Sequence, residues 1–232
     1  FRFYIPQVLK QAEHMICNSQ ATADDLINFW DIPARKITPI LLAYDQKHFS
    51  PSPRQEEGKY FLHLGRHDPH KNVVRLIKAF AKLPDPEYQL WLAGPPDKRY
   101  TPQLQQLVTE LGLRDRAFFL DYIPYSQLPA IIRGATALVF PSLWEGFGLP
   151  VLEAMGCGTP VITSNCSSLP EVADDAAILI DPTNINEMSE AMATVANDSN
   201  ARSRLREKGL KRASQFSWEK TGQATVEVLS QF

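Results

Sequence analysis

From residue 59 onward, short apolar runs alternate with stretches in which apolar residues recur every three or four positions. That alternation is the mark of a parallel sheet whose strands are separated by covering helices. Strands are predicted at Tyr60–Leu64, 88–93, Ala117–Leu120, Ala137–Phe140, 161–163 and 177–180. Between the first two, Asn72 is placed to cap a helix whose Val74, Ile77, Phe80 and Ala81 share one face. Thr101 and Pro102 open the next helix, with Leu104, Leu107, Val108 and Leu111 aligned and Gly112 ending it.

The first 50 residues follow another rhythm: a strand at 14–18, a helix capped near Thr22 with Asp24 and Asp25 in its first turn, and a strand at 37–42. These are too few elements to close a domain. Residues 50–58, Ser-Pro-Ser-Pro-Arg-Gln-Glu-Glu-Gly, read as a polar, proline-rich linker into the main domain. From Asn184 to the end the pattern is helical. The expected organisation is therefore 1–50 as the remnant of a preceding domain and hinge, 51–215 as the main domain, and 216–232 as a closing helix. The opening Phe1-Arg2-Phe3-Tyr4, without an initiator Met or a signal-peptide layout, reads as a chain whose start was removed.

Composition narrows the classes. With 232 residues, 44% hydrophobic and 22% charged, the chain can bury a substantial core. No apolar run approaches the roughly 18 residues of a membrane span. A net charge of −2 offers no field for phosphate backbones, so nucleic acid is not an expected partner. The three cysteines, Cys17, Cys157 and Cys166, lack the spacing of a zinc site or a disulfide framework, which fits a reducing compartment. Arg202, Arg204, Arg206, Lys208, Lys211 and Arg212 crowd the tail, but with only Leu205 and Leu210 as large apolar neighbours they read as a solvated helix face.

Candidate chemistry lies in two strand-to-helix loops, at the carboxyl ends of parallel strands where open α/β sheets bind ligands. Gly65-Arg66-His67-Asp68-Pro69-His70-Lys71-Asn72 offers two cations beside a helix start, an arrangement suited to a diphosphate. Taken alone, two basic loop residues are ordinary surface groups, and His67 and His70 read as solvated. The second loop runs Pro141-Ser142-Leu143-Trp144-Glu145-Gly146-Phe147-Gly148-Leu149-Pro150 and opens another helix. Gly146 and Gly148 let backbone amides approach a ligand, and Pro150 suits the first helical position. Glu145 then falls in the loop and Glu153 in the first helical turn, both facing one crevice, where carboxylates accept hydrogen bonds from sugar hydroxyls. Separately, each acid is equally a solvated or helix-stabilising group.

Glu145 and Glu153 framing Gly-Phe-Gly-Leu-Pro-Val-Leu resemble the Glu-x7-Glu signature of glycosyltransferase family 4. Gly65-Arg66 with His70-Lys71-Asn72, Trp91-Leu92-Ala93-Gly94, Gly158-Thr159-Pro160-Val161-Ile162 and Leu169-Pro170-Glu171-Val172 match that family in the same order, so the resemblance covers nearly the whole chain. It implies an α/β fold, a Rossmann-like parallel sheet with flanking helices, as the C-terminal half of a two-domain GT-B enzyme. That half holds a nucleoside diphosphate sugar, a UDP- or GDP-hexose. The preceding domain holds a glycan or lipid-linked acceptor, and the closing helix crosses back to it.

By the same resemblance, Arg66 and Lys71, with Gly65 beside them, bind the diphosphate and neutralise the leaving group. Glu153 takes the ribose hydroxyls, and Glu145 with the amides of Phe147, Gly148 and Leu149 positions the donor sugar. The backbone near Ile123 reads the base. Asp121 stands where the family commonly has Gly, and Ala43-Tyr44-Asp45 where Gly-Val-Asp is common.

The implied reaction is retaining hexosyl transfer, mannosyl- or glucosyl-like. It passes through a transition state with positive charge on the sugar and growing negative charge on the diphosphate. No Asp-x-Asp motif occurs, so no metal or other cofactor is expected, and Arg66 and Lys71 take the cation's place. The expected location is the cytoplasm, with at most peripheral contact at the inner membrane face. Three other readings share these features: a sugar-nucleotide epimerase, a phosphorylase of similar fold, and a non-catalytic nucleotide-sugar-binding module.

Overall fold

The computed structural model describes residues 4–52 and 58–232, so Phe1-Arg2-Phe3 and most of the predicted linker at 50–58 lie outside the described residues. The amino-terminal part forms a small lobe: α1 (Tyr4–Gln11), β1 (Met15–Cys17), α2 (Gln20–Trp30) and β2 (Ile37–Pro39), with β1 and β2 paired in parallel. Cys17, Ala23, Ile32 and Ile37 form its own apolar cluster. The cap of α2 is Ser19, one turn earlier than expected: its Oγ accepts from the Thr22 amide, and no acidic residue falls in the first turn. The strand predicted at 37–42 stops at Pro39, opposite Cys17 where its partner β1 ends, with the Ile40 amide making the last bond to the Cys17 carbonyl at 2.8 Å.

The main sheet contains β3 (Tyr60–Leu64), β4 (Gln89–Ala93), β5 (Ala117–Leu120), β6 (Ala137–Phe140), β7 (Val161–Ser164) and β8 (Ile178–Ile180), ordered β5-β4-β3-β6-β7-β8. Every pairing is parallel. Between and after the strands run α3 (Val73–Phe80), α4 (Thr101–Glu110), α5 (Leu128–Gly134), α6 (Leu149–Cys157), α7 (Leu169–Ala173), α8 (Ile185–Asn197) and α9 (Ser199–Ala213).

The central strands are buried on both faces, which is why they read as continuous apolar runs rather than alternating ones. On one face Phe61, Leu90, Leu92 and Val139 pack against α3, α4 and α8. On the other, Leu62, Leu138 and Phe140 pack against α5, α6 and α7. The expected α/β fold, a parallel sheet with flanking helices, is the observed one.

Several local expectations are corrected. Asn72 occupies the N-cap position in the left-handed conformation (φ 61°) without capping by its side chain. Its buried amide instead donates to the Pro141 and Pro182 carbonyls, tying the first loop to β6 and the loop after β8. The buried face of α3 is Val73, Leu76, Ile77 and Phe80, and Val74 is exposed, because a 3₁₀ turn at Pro69–Lys71 resets the helical phase. In α4, Leu104 and Val108 are buried and Leu111, beyond the last helical residue, is exposed.

The basic run on α9 is not simply solvated. Arg206 donates to the Gly158 carbonyl and Arg212 to those of Val172 and Glu171, so these side chains hold the ends of α6 and α7. The last helix, α10 (Trp218–Leu229), returns to the small lobe: Thr221 donates to the Leu41 carbonyl at 2.8 Å, and the rings of His14 and Phe232 lie 5.2 Å apart. Trp218, Val226 and Leu229 remain exposed on it.

Candidate functional site

The strand order reverses between β3 and β6, and the loops leaving their carboxyl ends turn to opposite sides. The two strands pair only through Phe61↔Ala137 and Leu62↔Leu138, so a crevice opens beyond them. His63 lies fully buried in β3, next to the strand end that opens into it. Its Nδ1 lies 3.0 Å from the Val139 carbonyl, which can only accept, so Nδ1 carries the proton. Complete burial lowers its pKa to about 4 and keeps the ring neutral. Nε2 faces the Gly65 turn without a partner among the described residues.

A cavity of about 310 Å³ occupies the crevice. Leu64, Gly65 and Arg66 form one wall, Ala93, Gly94 and Pro95 a second, Tyr122, Ile123 and Leu128 a third, and Pro150 and Glu153 the floor of α6. Gly94 makes the first two walls possible: with φ at 153°, a Cβ there would run into the Gly65 carbonyl oxygen.

Glu153 lies in the second turn of α6, not the first as expected, so the helix dipole does not account for an acid there. Burial pushes its pKa up to about 7, opposed by His48. No cation is paired with it among the described residues.

Arg66 is exposed at the cavity mouth, 3.3 Å from Asp68 and 3.9 Å from Asp97. Lys71 is largely buried, its Nζ 2.6 Å from Glu145 Oε1 and 5.1 Å from the centre of the Phe140 ring. Thus Gly65, Arg66, Ile123 and Glu153 meet at the cavity. Glu145 and Lys71 form an ion pair beside it, so the two acids do not line one pocket as expected. The Phe147 side chain is buried in the core against Phe216, leaving only its backbone for a ligand.

Gly148, at φ 104°, turns the chain into α6, which starts at Leu149. A Cβ on Gly148 would sit 2.7 Å from Leu169 Cδ2. The amides of Phe147, Gly148 and Leu149 point to no hydrogen-bond acceptor among the described residues. Such a row of open amides at a helix start suits an anion or a hydroxyl-rich ligand.

His67 is buried rather than solvated: its Nδ1 lies 2.7 Å from Thr101 Oγ1, and burial lowers its pKa. Among the described residues no group of three or more His, Cys, Asp or Glu is arranged to hold a metal ion, and no helix is long and apolar enough to cross a membrane.

Residues 45–212 match the protein-family model of the glycosyl transferases group 1. The chain belongs to that family. This group 1 chain is 32% identical over 233 residues to an O-antigen chain mannosyltransferase B of Escherichia coli, a match that covers 94% of this chain and 60% of the relative. It is likewise 32% identical over 235 residues to a D-inositol 3-phosphate glycosyltransferase of Corynebacterium glutamicum, covering 93% of this chain and 56% of that protein. Its fold is that of a sucrose-phosphate synthase from Thermosynechococcus elongatus, with a TM-score of 0.86 at 26% identity over 97% of this chain and 60% of that one. The group 1 chain thus spans about 60% of the length of relatives it matches.

Reading the sequence missed several residues of the site. Gly94 stands in the sequence within Trp91-Leu92-Ala93-Gly94, where a glycine ending a strand beside another glycine-bearing turn is the signal of close backbone approach. Tyr122 and Leu128 were passed over, and nothing in their spacing marks them. Tyr44, named in the sequence as a departure, belongs to the core rather than to the site and fills the space above Gly156 of α6.

Proposed function

We propose that this group 1 chain is the C-terminal, donor-binding part of a family 4, two-domain GT-B enzyme that transfers a hexose from a nucleoside diphosphate sugar with retention of configuration. The acceptor is a glycan or lipid-linked sugar. In this reading residues 1–50 belong to the acceptor domain and hinge, 51–215 form the donor domain, and 216–232 cross back. The single observation that carries it is the crevice at the strand-order reversal, with Arg66 at its mouth, the buried acid Glu153 on its floor and the open amides of 147–149 beside the Lys71–Glu145 pair. The names of relatives, a mannosyltransferase and a sucrose-phosphate synthase, support hexosyl transfer.

Arg66 and Lys71 take the diphosphate and offset the charge that grows on it, without a metal ion. Glu153 accepts from the ribose hydroxyls, the backbone at Ile123 meets the base, and Glu145 with the amides of Phe147, Gly148 and Leu149 orients the hexose. Carboxylate Glu145 orients rather than attacks; no covalent intermediate is assigned to it.

A thermal-shift panel of UDP, GDP and ADP tests the reading, because a ligand at 100 times its Kd stabilises by about 2.7 kcal/mol. One of the three is expected to raise Tm in a concentration-dependent way. No shift with any, at millimolar ligand, would sink the donor-site assignment.

A further inference from the structure

We infer that the amino-terminal end of α2 clamps the 144–148 loop, which makes Ser19 and Glu171 positioning residues for the donor sugar; the sugar part of this statement rests on the function proposed above. Ser19 is completely buried at the join between the small lobe and the sheet domain. Its hydroxyl donates to the Gly146 carbonyl at 2.7 Å, across 127 residues of chain. The Thr22 hydroxyl lies 3.3 Å from the same oxygen.

Glu171, in α7, places both carboxylate oxygens on the Gln20 amide, at 2.8 and 2.9 Å, and one of them 3.4 Å from the Ala21 amide. It thereby satisfies donors that a helix start leaves open and meets the positive end of the α2 dipole with a charge. The Trp144 indole N–H donates to Asp25 of the same helix at 2.8 Å.

The loop is held from its other side as well. Ser167 Oγ accepts from the Glu145 amide and donates to its carbonyl, while Ser168 Oγ lies 3.0 Å from the Glu145 and Phe147 carbonyls. The carbonyls of Glu145, Gly146 and Phe147 are thus all turned onto hydroxyls, and the amides of Phe147, Gly148 and Leu149 are left without an acceptor among the described residues. A loop whose backbone acceptors are engaged by the scaffold keeps its backbone donors, beside the Glu145 carboxylate, for a ligand. Because α2 belongs to a lobe with its own core, the position of that lobe sets where Glu145 and those amides stand.

The test is amide relaxation by NMR on the full chain carrying Ser19→Ala, Glu171→Gln or Ser19→Thr. Order parameters at residues 144–148 are expected to fall from a rigid value of about 0.85 to below about 0.6 in the first two variants, with the sheet amides unchanged. Ser19→Thr, which keeps the hydroxyl, should restore them. Glu171→Gln preserves side-chain size and answers the question should Ser19→Ala fail to fold. An unchanged loop in both variants overturns the clamp whatever the ligand is.

Calorimetry supplies the second arm: UDP-glucose or GDP-mannose is expected to bind about tenfold more weakly to the loosened variants, and UDP or GDP equally well. Equal loss for diphosphate and nucleotide sugar overturns the positioning role. Wild-type protein that binds none of these ligands sinks the proposed function, while the relaxation result still decides the clamp.

Discussion

Glu153 presents a carboxyl to the crevice with burial working against its charge, an effect that His48 opposes but does not cancel. A carboxyl whose folded pKa is raised, here to about 7, contributes stability in full below its unfolded value near 4.5 and loses it as pH rises through the folded value. Glu153→Gln removes that loss. The variant is expected to melt several degrees above wild type at pH 8.5, where the difference is on the order of 2–3 kcal/mol, and to match it near pH 4. A constant offset across pH would contradict the raised pKa. If the same acid takes ribose hydroxyls, as proposed, it does so best as a carboxylate, so nucleoside diphosphate affinity should climb between pH 6 and 8 in wild type, with a flatter profile in Glu153→Gln.

Lys71 and Glu145 satisfy each other in the absence of donor. Lys71→Ala strands a largely buried carboxylate, a change of about 3–5 kcal/mol, and would also remove the charge-assisted contact proposed for the diphosphate. We expect a ten- to hundredfold weaker diphosphate and a lower Tm. Glu145→Ala frees Lys71 instead, so isothermal titration should find UDP or GDP binding unchanged or tighter while nucleotide sugar binding suffers. Equal losses of the plain diphosphate in Glu145→Ala and Glu153→Ala would contradict the separate roles.

Among the elements, the turns after β3 and β4 approach so closely that one missing Cβ keeps them apart from collision. Gly94→Ala would drive its methyl into the Gly65 backbone, which has nowhere to move without displacing the cavity wall. Gly112→Ala is the matched control: it too sits at positive φ, 69°, but has no heavy atom within 4 Å of the added carbon. The control is expected to lose only the left-handed backbone penalty of about 1–2 kcal/mol by urea unfolding, and Gly94→Ala clearly more, together with nucleotide affinity. Similar losses would place the Gly94 contact outside the site's architecture. The shifted face of α3 belongs to this scale too. Val73, Val74, Leu76 and Ile77 are all apolar, so periodicity alone permits two phases, and the 3₁₀ turn at Pro69–Lys71 selects one.

At the scale of the molecule, a small lobe, a six-stranded sheet domain and a returning α10 pack together, and the crevice is lined by loops of the sheet domain. Under the proposed function, donor binding would need the sheet and its loops, and transfer would also need an acceptor held against the sugar and water kept out. Because the chain spans 60% of a matched relative's length, we expect it to bind donor and transfer none, and transfer to appear when it is joined to the remainder of such an enzyme. Labelled hexose moved to a glycan or lipid acceptor measures this. Equal rates for the chain alone and the extended protein would place the acceptor site within these 232 residues.

The sequence by itself determined the strands of the sheet, their parallel class and the two strand-to-helix turns after β3 and β6. Strands buried on both faces need unbroken apolar runs, and a turn into a helix needs Gly or Pro at fixed places, so these features are written locally. What only the tertiary structure decided is how separated residues meet. The Lys71–Glu145 pair, the unpaired burial of Glu153, the docking of Arg206 and Arg212 on helix ends, and Ser19 and Glu171 gripping opposite sides of one join all depend on distances between segments far apart in the chain. Charge and hydrogen-bonding capacity are fixed by residue type. Whether a carboxylate faces a cation, a helix start or an empty crevice is fixed by the packing that surrounds it.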